Sequence, residues 1–237
     1  MRFGCRNLTF TYPGVKTPVL DHLSFSMAAP GFNAVFGPSG VGKTSFARLV
    51  AGGGQVDDMA ETLELDGINT ILYSYNQERL PGWSATGSHL DKICPKGNQE
   101  LKAELIRIFE VGPVLGSRFS QLSMGQQNRM NLIRYLIQDF DLLIMDESLA
   151  NVDESLRGQI LLSIKERFPD KLFLYISHNL SEVARFCKDI LILGRSATWR
   201  GGRVVRGLDE VADPEGTHCR PNRDRLDRAM LEIMNAV

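Results

Sequence analysis

The run Gly37-Pro38-Ser39-Gly40-Val41-Gly42-Lys43-Thr44 constrains the fold more than any other part of the chain. It fits the pattern G-x-x-x-x-G-K-[ST], which carries structural meaning only between a strand and a helix. Both flanks are present. Residues 32–36 are an apolar run that reads as the feeding strand, and Phe46, Leu49 and Val50 recur at helical spacing after the loop. Gly52-Gly53-Gly54 then reads as the stop of that helix, because glycine accepts the left-handed backbone that helix ends often need. Within the loop, Gly37, Gly40 and Gly42 allow a curl that side chains would block. The curl turns successive backbone N–H groups, from Ser39 through Val41 to Ser45, towards an anion, and the positive end of the helix adds to the attraction. Lys43 reaches terminal phosphates and the Thr44 hydroxyl is placed to ligate Mg2+. The loop predicts a nucleotide site. Alone it does not separate kinases, GTPases and motor ATPases.

A chain of 237 residues with 43% hydrophobic residues can bury one large core, with or without a subdomain. The net charge of −1 gives no general attraction to nucleic acid. Arg195, Arg200, Arg203 and Arg206 form a local basic stretch that reads as a solvated turn between strands. No apolar run approaches the roughly 20 residues of a membrane-spanning helix, and residues 1–7 lack the apolar core of a signal peptide. Cys5, Cys94, Cys187 and Cys219 lie far apart without metal-ligand spacing, so reduced cytosolic thiols are expected.

Patterning along the chain predicts an α/β fold. Leu8, Phe10 and Tyr12 alternate with polar residues as in a half-buried strand, and residues 62–66 give another strand turned by Asp66-Gly67. Residues 2–36 read mostly as short strands and turns. Residues 84–122 read as a helical insertion, with Leu101, Leu105, Ile108 and Phe109 on one face and Gly112-Pro113 as the breaker. A helix over 125–138, an apolar strand over 141–146, a helix over 154–168, a strand over 172–177, a helix over 180–187 and a strand over 189–193 follow. That alternation implies a mostly parallel sheet with helices on both faces. A tail over 195–237 carries one helix from near Asp224, with Leu226, Met230 and Ile233 on one side. The whole is read as one domain over 1–237.

Ligands of open α/β sheets bind at the carboxyl ends of the strands. Asp146 and Glu147 end one apolar strand, so both should face the phosphates, Asp146 to hold Mg2+ and Glu147 to orient and deprotonate a water. His178 follows the next parallel strand and could hydrogen-bond a γ-phosphate oxygen, or be structural. Leu122-Ser123-Met124-Gly125-Gln126 stands at a helix start, a second anion site. One chain does not need two such sites for one γ-phosphate. A dimer does, with each copy capping the nucleotide of the other.

Taken together these residues resemble the ATP-binding subunits of ABC transporters, over nearly the whole chain and in the family's motif order. Residues 37–44 resemble its Walker A, Leu122 to Gln126 its signature motif with Ser123, Gly125 and Gln126, and Leu142 to Glu147 its Walker B with a catalytic glutamate. Ser148-Leu149-Ala150-Asn151-Val152-Asp153 is similar to its D-loop, with Asp153 at the nucleotide interface, and His178 to its switch histidine. The resemblance implies that Gln77 touches Mg2+ and the membrane partner, and that Tyr12, otherwise a plain strand residue, stacks on adenine. It implies an antiparallel β region over residues 2–36, catalysis by Glu147 and His178, ATP and Mg2+ as cofactors, and Mg2+ held by Thr44, Gln77 and Asp146. Residues 77–83, Gln-Glu-Arg-Leu-Pro-Gly-Trp, resemble a run in importer subunits for nitrate, taurine, alkanesulfonates and thiamine precursors.

The expected function is therefore ATP hydrolysis at the cytoplasmic side of a membrane by a homodimer. It would drive permease subunits that an extracytoplasmic solute-binding protein feeds with a small anionic or heterocyclic solute, without nucleic acid. An exporter or lipoprotein-release subunit is the alternative. A soluble ATPase of DNA repair or translation is the less favoured reading, because the coiled-coil insertions, tandem cores or strongly basic arms that such proteins usually carry are not visible in this sequence. Three departures from the family are visible. Met124 replaces the first glycine of the signature, which predicts hydrolysis that is retained or slowed, and the segment between Lys43 and Gln77 and the insertion that docks the permease are both short. Trp83 reads equally as a residue of that docking groove and as a core aromatic.

Overall fold

The computed structural model describes residues 1–52, 63–80, 84–194, 202–211 and 223–237. A six-stranded sheet runs through the middle. It contains β3 (Gly31–Phe36), β5 (Ile71–Tyr75), β6 (Leu142–Asp146), β7 (Leu172–Ile176), β8 (Asp189–Ile192) and β9 (Arg203–Arg206), in the order β5-β6-β7-β3-β8-β9. All neighbours are parallel except β9, which runs antiparallel to β8. β6 and β7 are buried at every residue, which is why Leu-Leu-Ile-Met-Asp and Leu-Phe-Leu-Tyr-Ile read as unbroken apolar runs.

Successive strand residues point to opposite faces, and the core divides accordingly. Leu143, Met145, Phe173, Tyr175 and Ile190 face one side. There they meet α3 (Gln99–Ile108), α4 (Met124–Leu136), α5 (Glu154–Arg167), α6 (Leu180–Phe186) and α7 (Arg223–Ala236). Leu142, Ile144, Leu172, Leu174 and Ile176 face the other. Their cover is α1 (Lys43–Val50) and a small antiparallel sheet of β1 (Phe3–Phe10), β2 (Leu20–Met27) and β4 (Leu63–Glu64). The α/β fold with an antiparallel N-terminal region is as expected.

Some details differ from the sequence reading. β1 begins earlier and ends at Phe10, so Tyr12 lies beyond the strand. Its register with β2 shifts between Cys5 and Leu8 and again between Leu8 and Phe10. At those irregularities Asn7 and His22 take positive φ, and the Ser24 and Thr9 hydroxyls accept their N–H groups. A simple alternation cannot persist across such shifts. β4 is two residues long, paired to Gly4 and Cys5; Thr62 lies outside the described residues. Gly52, at φ 78, ends α1 with its N–H on Leu49 O; Gly53 and Gly54 are outside the described residues.

Residues 84–122 are helical, with α2 (Thr86–Ile93) and α3. The segment is closed at its base where Thr86 N–H and Gly87 N–H donate to Ser117 and Leu115 carbonyls at 2.9 Å. Of the basic stretch, Arg203 and Arg206 are on β9, and Arg206 pairs with Asp189. Arg195, Arg200, Cys219 and residues 81–83, Trp83 included, lie outside the described residues.

Candidate functional site

Strand register sets the site. Tyr75, Asp146, Ile176 and Val35 form one row across the four strands β5, β6, β7 and β3. One or two residues past that row stand Gln77, Glu147, His178 and Gly37. Chain segments far apart in sequence thus end on one sheet edge.

Gly37 has φ 151, and a Cβ there would sit 2.1 Å from Leu193 O, so the loop can leave β3 only at a glycine. Gly42 has φ 110 at the start of α1, with Val19 and Leu20 against it. Lys43 is buried, and its ammonium donates to Gly37 O at 2.8 Å and Pro38 O at 2.9 Å. Burial lowers its pKa from 10.5, opposed by the charges of Glu147 and Asp146. A cleft of about 400 Å³ opens above the loop. It is lined by Tyr12, Val19, Ser39, Gly40, Gly42, Lys43, Thr44, Ser45, Glu147 and His178. Tyr12 is 40% exposed, edge-on to Phe10 at 4.9 Å, with its hydroxyl 2.9 Å from Ser45 Oγ. Val41 does not line the cleft. Its side chain is buried and its N–H meets Pro38 O at 3.4 Å. Val19, just before β2, was not singled out in the sequence, because nothing in a lone valine between a turn and a strand marks it.

Asp146 is buried at the end of β6 and accepts a hydrogen bond from the Tyr73 hydroxyl on Oδ2 at 2.9 Å. Glu147 takes φ 52, with its N–H on Ile176 O. Its Oε1 lies 2.7 Å from His178 Nε2, both side chains being partly exposed. Gln77 is exposed at φ 64, beside Asn76, whose N–H donates to Asp146 O at 3.0 Å. Thr44, Asp146 and Gln77 offer a hydroxyl, one carboxylate and an amide oxygen. Among the described residues no group of three or more His, Cys, Asp or Glu side chains could cage a metal. So sparse a set of hard oxygen donors suits Mg2+, which retains waters and shares its coordination with substrate phosphates.

Ser123, Gly125, Gln126 and Asp153 are not among the cleft's lining. Ser123 caps α4. Its hydroxyl accepts Gln126 N–H at 3.3 Å while the Gln126 side chain accepts Ser123 N–H at 2.9 Å, a reciprocal capping box. Asp153 caps α5 through Ser155 N–H at 2.9 Å. Gly125 is held against the turn before α5, where a Cβ would lie 2.2 Å from Asn151 O. Met124, by contrast, is 45% exposed. Asn128 links the same turn to the β5 end, donating to Ala150 O at 2.7 Å and Asn76 Oδ1 at 3.0 Å. Each chain thus has two separate clusters, the loop cleft and the start of α4.

Comparison with known proteins gives a consistent result. The sequence pattern of the ABC transporter family matches residues 20–150. The chain is 31% identical over 212 residues to a taurine import ATP-binding protein of Pseudomonas entomophila, covering 83% of this chain and 79% of that one. It is 27% identical over 235 residues to an sn-glycerol-3-phosphate import ATP-binding protein of Cupriavidus pinatubonensis, covering 93% and 61%. Among solved structures it is similar to an ATP-binding cassette captured as a dimer after hydrolysis with ADP and Pi bound. That match has a TM-score of 0.70 at 19% identity, covering 86% of this chain and 98% of the other.

Proposed function

The chain belongs to the ABC transporter family, as an ATP-hydrolysing cassette similar to the taurine importer ATPases, and on that premise we propose that it powers import of a small anionic or heterocyclic solute through partner permease subunits. The observation that carries this reading is the convergence of Lys43, Thr44, Glu147 and His178 on one cleft with Tyr12 at its side.

In this reading adenine stacks on Tyr12 and the phosphates lie in the loop. Lys43 turns from the Gly37 and Pro38 carbonyls to the terminal phosphates, a change favoured because phosphate restores an anionic partner to a desolvated ammonium. Thr44, Asp146 and Gln77 hold Mg2+, which when bound neutralises phosphate charge. Glu147 leaves His178 to accept a proton from the attacking water, and His178 is freed to hydrogen-bond the γ-phosphate. Ser123, Gly125 and Gln126 cap the nucleotide of a second copy, with Asp153 at the same interface. Two copies packed head to tail then hold two ATP between them. Closure is driven by the difference in ATP affinity between closed and open dimers. The helical segment 84–122 and Gln77 carry that motion to the permease, on the cytoplasmic side of the membrane. Among the described residues no helix is long and apolar enough to cross a membrane. An extracytoplasmic binding protein supplies the solute, whose choice rests with the partners.

A tagged pull-down from detergent-solubilised membranes, read by mass spectrometry beside a steady-state ATPase assay, tests this. A multi-span permease with a solute-binding protein is the expected catch. A permease alone moves the reading to export. Ribosomes or repair proteins without any membrane protein would refute it.

A further inference from the structure

We propose that Tyr73 is a positioning residue for the metal site of the cleft. It fixes one oxygen of Asp146 so that the other is presented to Mg2+. The inference rests on the ATP and Mg2+ reading above and adds a residue to it.

Tyr73 and Tyr75 are two apart on β5 and share a face, their rings stacked with centroids 5.5 Å apart. Tyr75 is level with Asp146 across the parallel pair, and Tyr73 is level with Ile144. The Tyr73 hydroxyl therefore reaches along β6 by two residues to find the carboxylate, donating to Oδ2 at 2.9 Å. Among the described residues it is the one hydrogen-bond donor to that carboxylate. A phenol has a single proton to give, and it is committed here.

The positive charge of Arg48 acts on the same hydroxyl, opposing the rise in its pKa that burial and Asp146 cause. Arg48 is in the last turn of α1, the helix that starts at Lys43. Tyr73 packs on the cluster that includes Phe46 and Val50 of α1 and donates to Asp146 on β6, so one side chain spans from the helix of the phosphate loop to the strand bearing the metal-binding carboxylate. The strand needs only the ring, which packs at the edge of the core under α1. The hydroxyl is separable from that packing, and its contacts all lead towards the site.

Mg2+ demands near-ideal octahedral geometry, so a carboxylate free to swing binds it less well. Loss of a partner that orients a metal ligand typically weakens metal affinity by about 10–100-fold. The test is Tyr73→Phe, which keeps the ring. Affinity for a non-hydrolysable ATP analogue is measured by fluorescence with and without Mg2+, and the ratio reports metal use without any turnover. The expected result is a ratio lowered about tenfold, with metal-free affinity unchanged. Arg48→Gln, at an exposed position, should lower the ratio less. A Tyr73→Phe ratio equal to wild type overturns the proposal, as does an equal loss with and without Mg2+, which would make the hydroxyl a general packing contact. A wild-type chain whose nucleotide affinity ignores Mg2+ would overturn the metal reading itself together with Tyr73's place in it.

Discussion

Replacing Gly125 by alanine sets two effects against each other. Alanine is the better helix former by up to about 1 kcal/mol, so local propensity predicts a more stable α4. The structure predicts the reverse. The new Cβ would lie 2.2 Å from Asn151 O and 3.2 Å from its carbonyl carbon, so the turn must retreat by roughly 1 Å to escape repulsion. That turn has little freedom. Asn151 already takes φ 61, Val152 beside it is buried, and the preceding Ala150 O is tied to the buried Asn128. Overpacking of this kind costs about 1–3 kcal/mol, so with the full helix gain subtracted a net loss of up to about 2 kcal/mol remains, and the melting temperature falls by up to about 8 °C. Nucleotide affinity of the single chain should be unchanged, because Gly125 is not part of the loop cleft, while turnover falls. Thermal melts, nucleotide binding and ATPase rates on the same preparation check all three. The control is Met124→Gly, at the exposed first residue of the helix, which should change stability by less than about 1 kcal/mol. A Gly125→Ala chain that melts at or above wild type would refute the reasoning, since propensity would then have outweighed the contact.

Glu147→Gln should lower steady-state turnover by about 10^2–10^4-fold and leave ATP binding intact; unchanged turnover would remove Glu147 from the role of base. Burial lowers the Lys43 pKa from 10.5, so the free chain sheds this proton at lower pH than an exposed lysine would, while bound phosphate favours the charged form. ATP binding should therefore take up protons in the alkaline range below pH 10.5 and weaken as pH rises. Calorimetry in two buffers of different ionisation enthalpy measures this; identical heats in both would refute it. His89 on α2 has a pKa lowered from 6.5 by burial and then by the charges of Arg134 and Lys92, and its Nε2 is buried without a partner. The unfolded chain takes the proton first, so the stability that neutral His89 contributes is full above pH 6.5 and is lost as pH falls through the folded value. His89→Gln should flatten the fall in melting temperature as pH drops below about 6.5; an unaltered slope would refute this.

Much of the fold is legible in the sequence because the central strands are covered on both faces and so are written as continuous apolar runs. Leu142–Asp146 and Leu172–Ile176 are the clearest cases. The loop at residues 37–44 is legible for a different reason: its glycines answer backbone constraints, such as the Leu193 carbonyl against Gly37, that no other residue meets. The edges are less readable. β1 and β2 slip in register at Asn7 and His22, which breaks the alternation that marks a strand, and β4 is too short to carry a pattern. In the site, strand ends predict that Asp146, Glu147 and His178 come near the loop, but contacts between side chains on different strands depend on register. Neither the 2.7 Å approach of Glu147 to His178 nor the reach of Tyr73 to Asp146 could be found without knowing that Tyr75 is level with Asp146 and Asp146 with Ile176.

The parallel sheet gives the molecule a quiet end. Each strand that delivers a group to the cleft begins at the opposite edge, and β7, for example, separates the two by five residues, about 16 Å of extended chain. The turn entering β7 holds Pro169 and Asp170, both exposed. A fluorophore, an affinity handle or a surface tether placed there would face away from the cleft. Such a probe could report on nucleotide-driven motion as an observer, because the chemistry and its measurement would occupy opposite ends of the same strands.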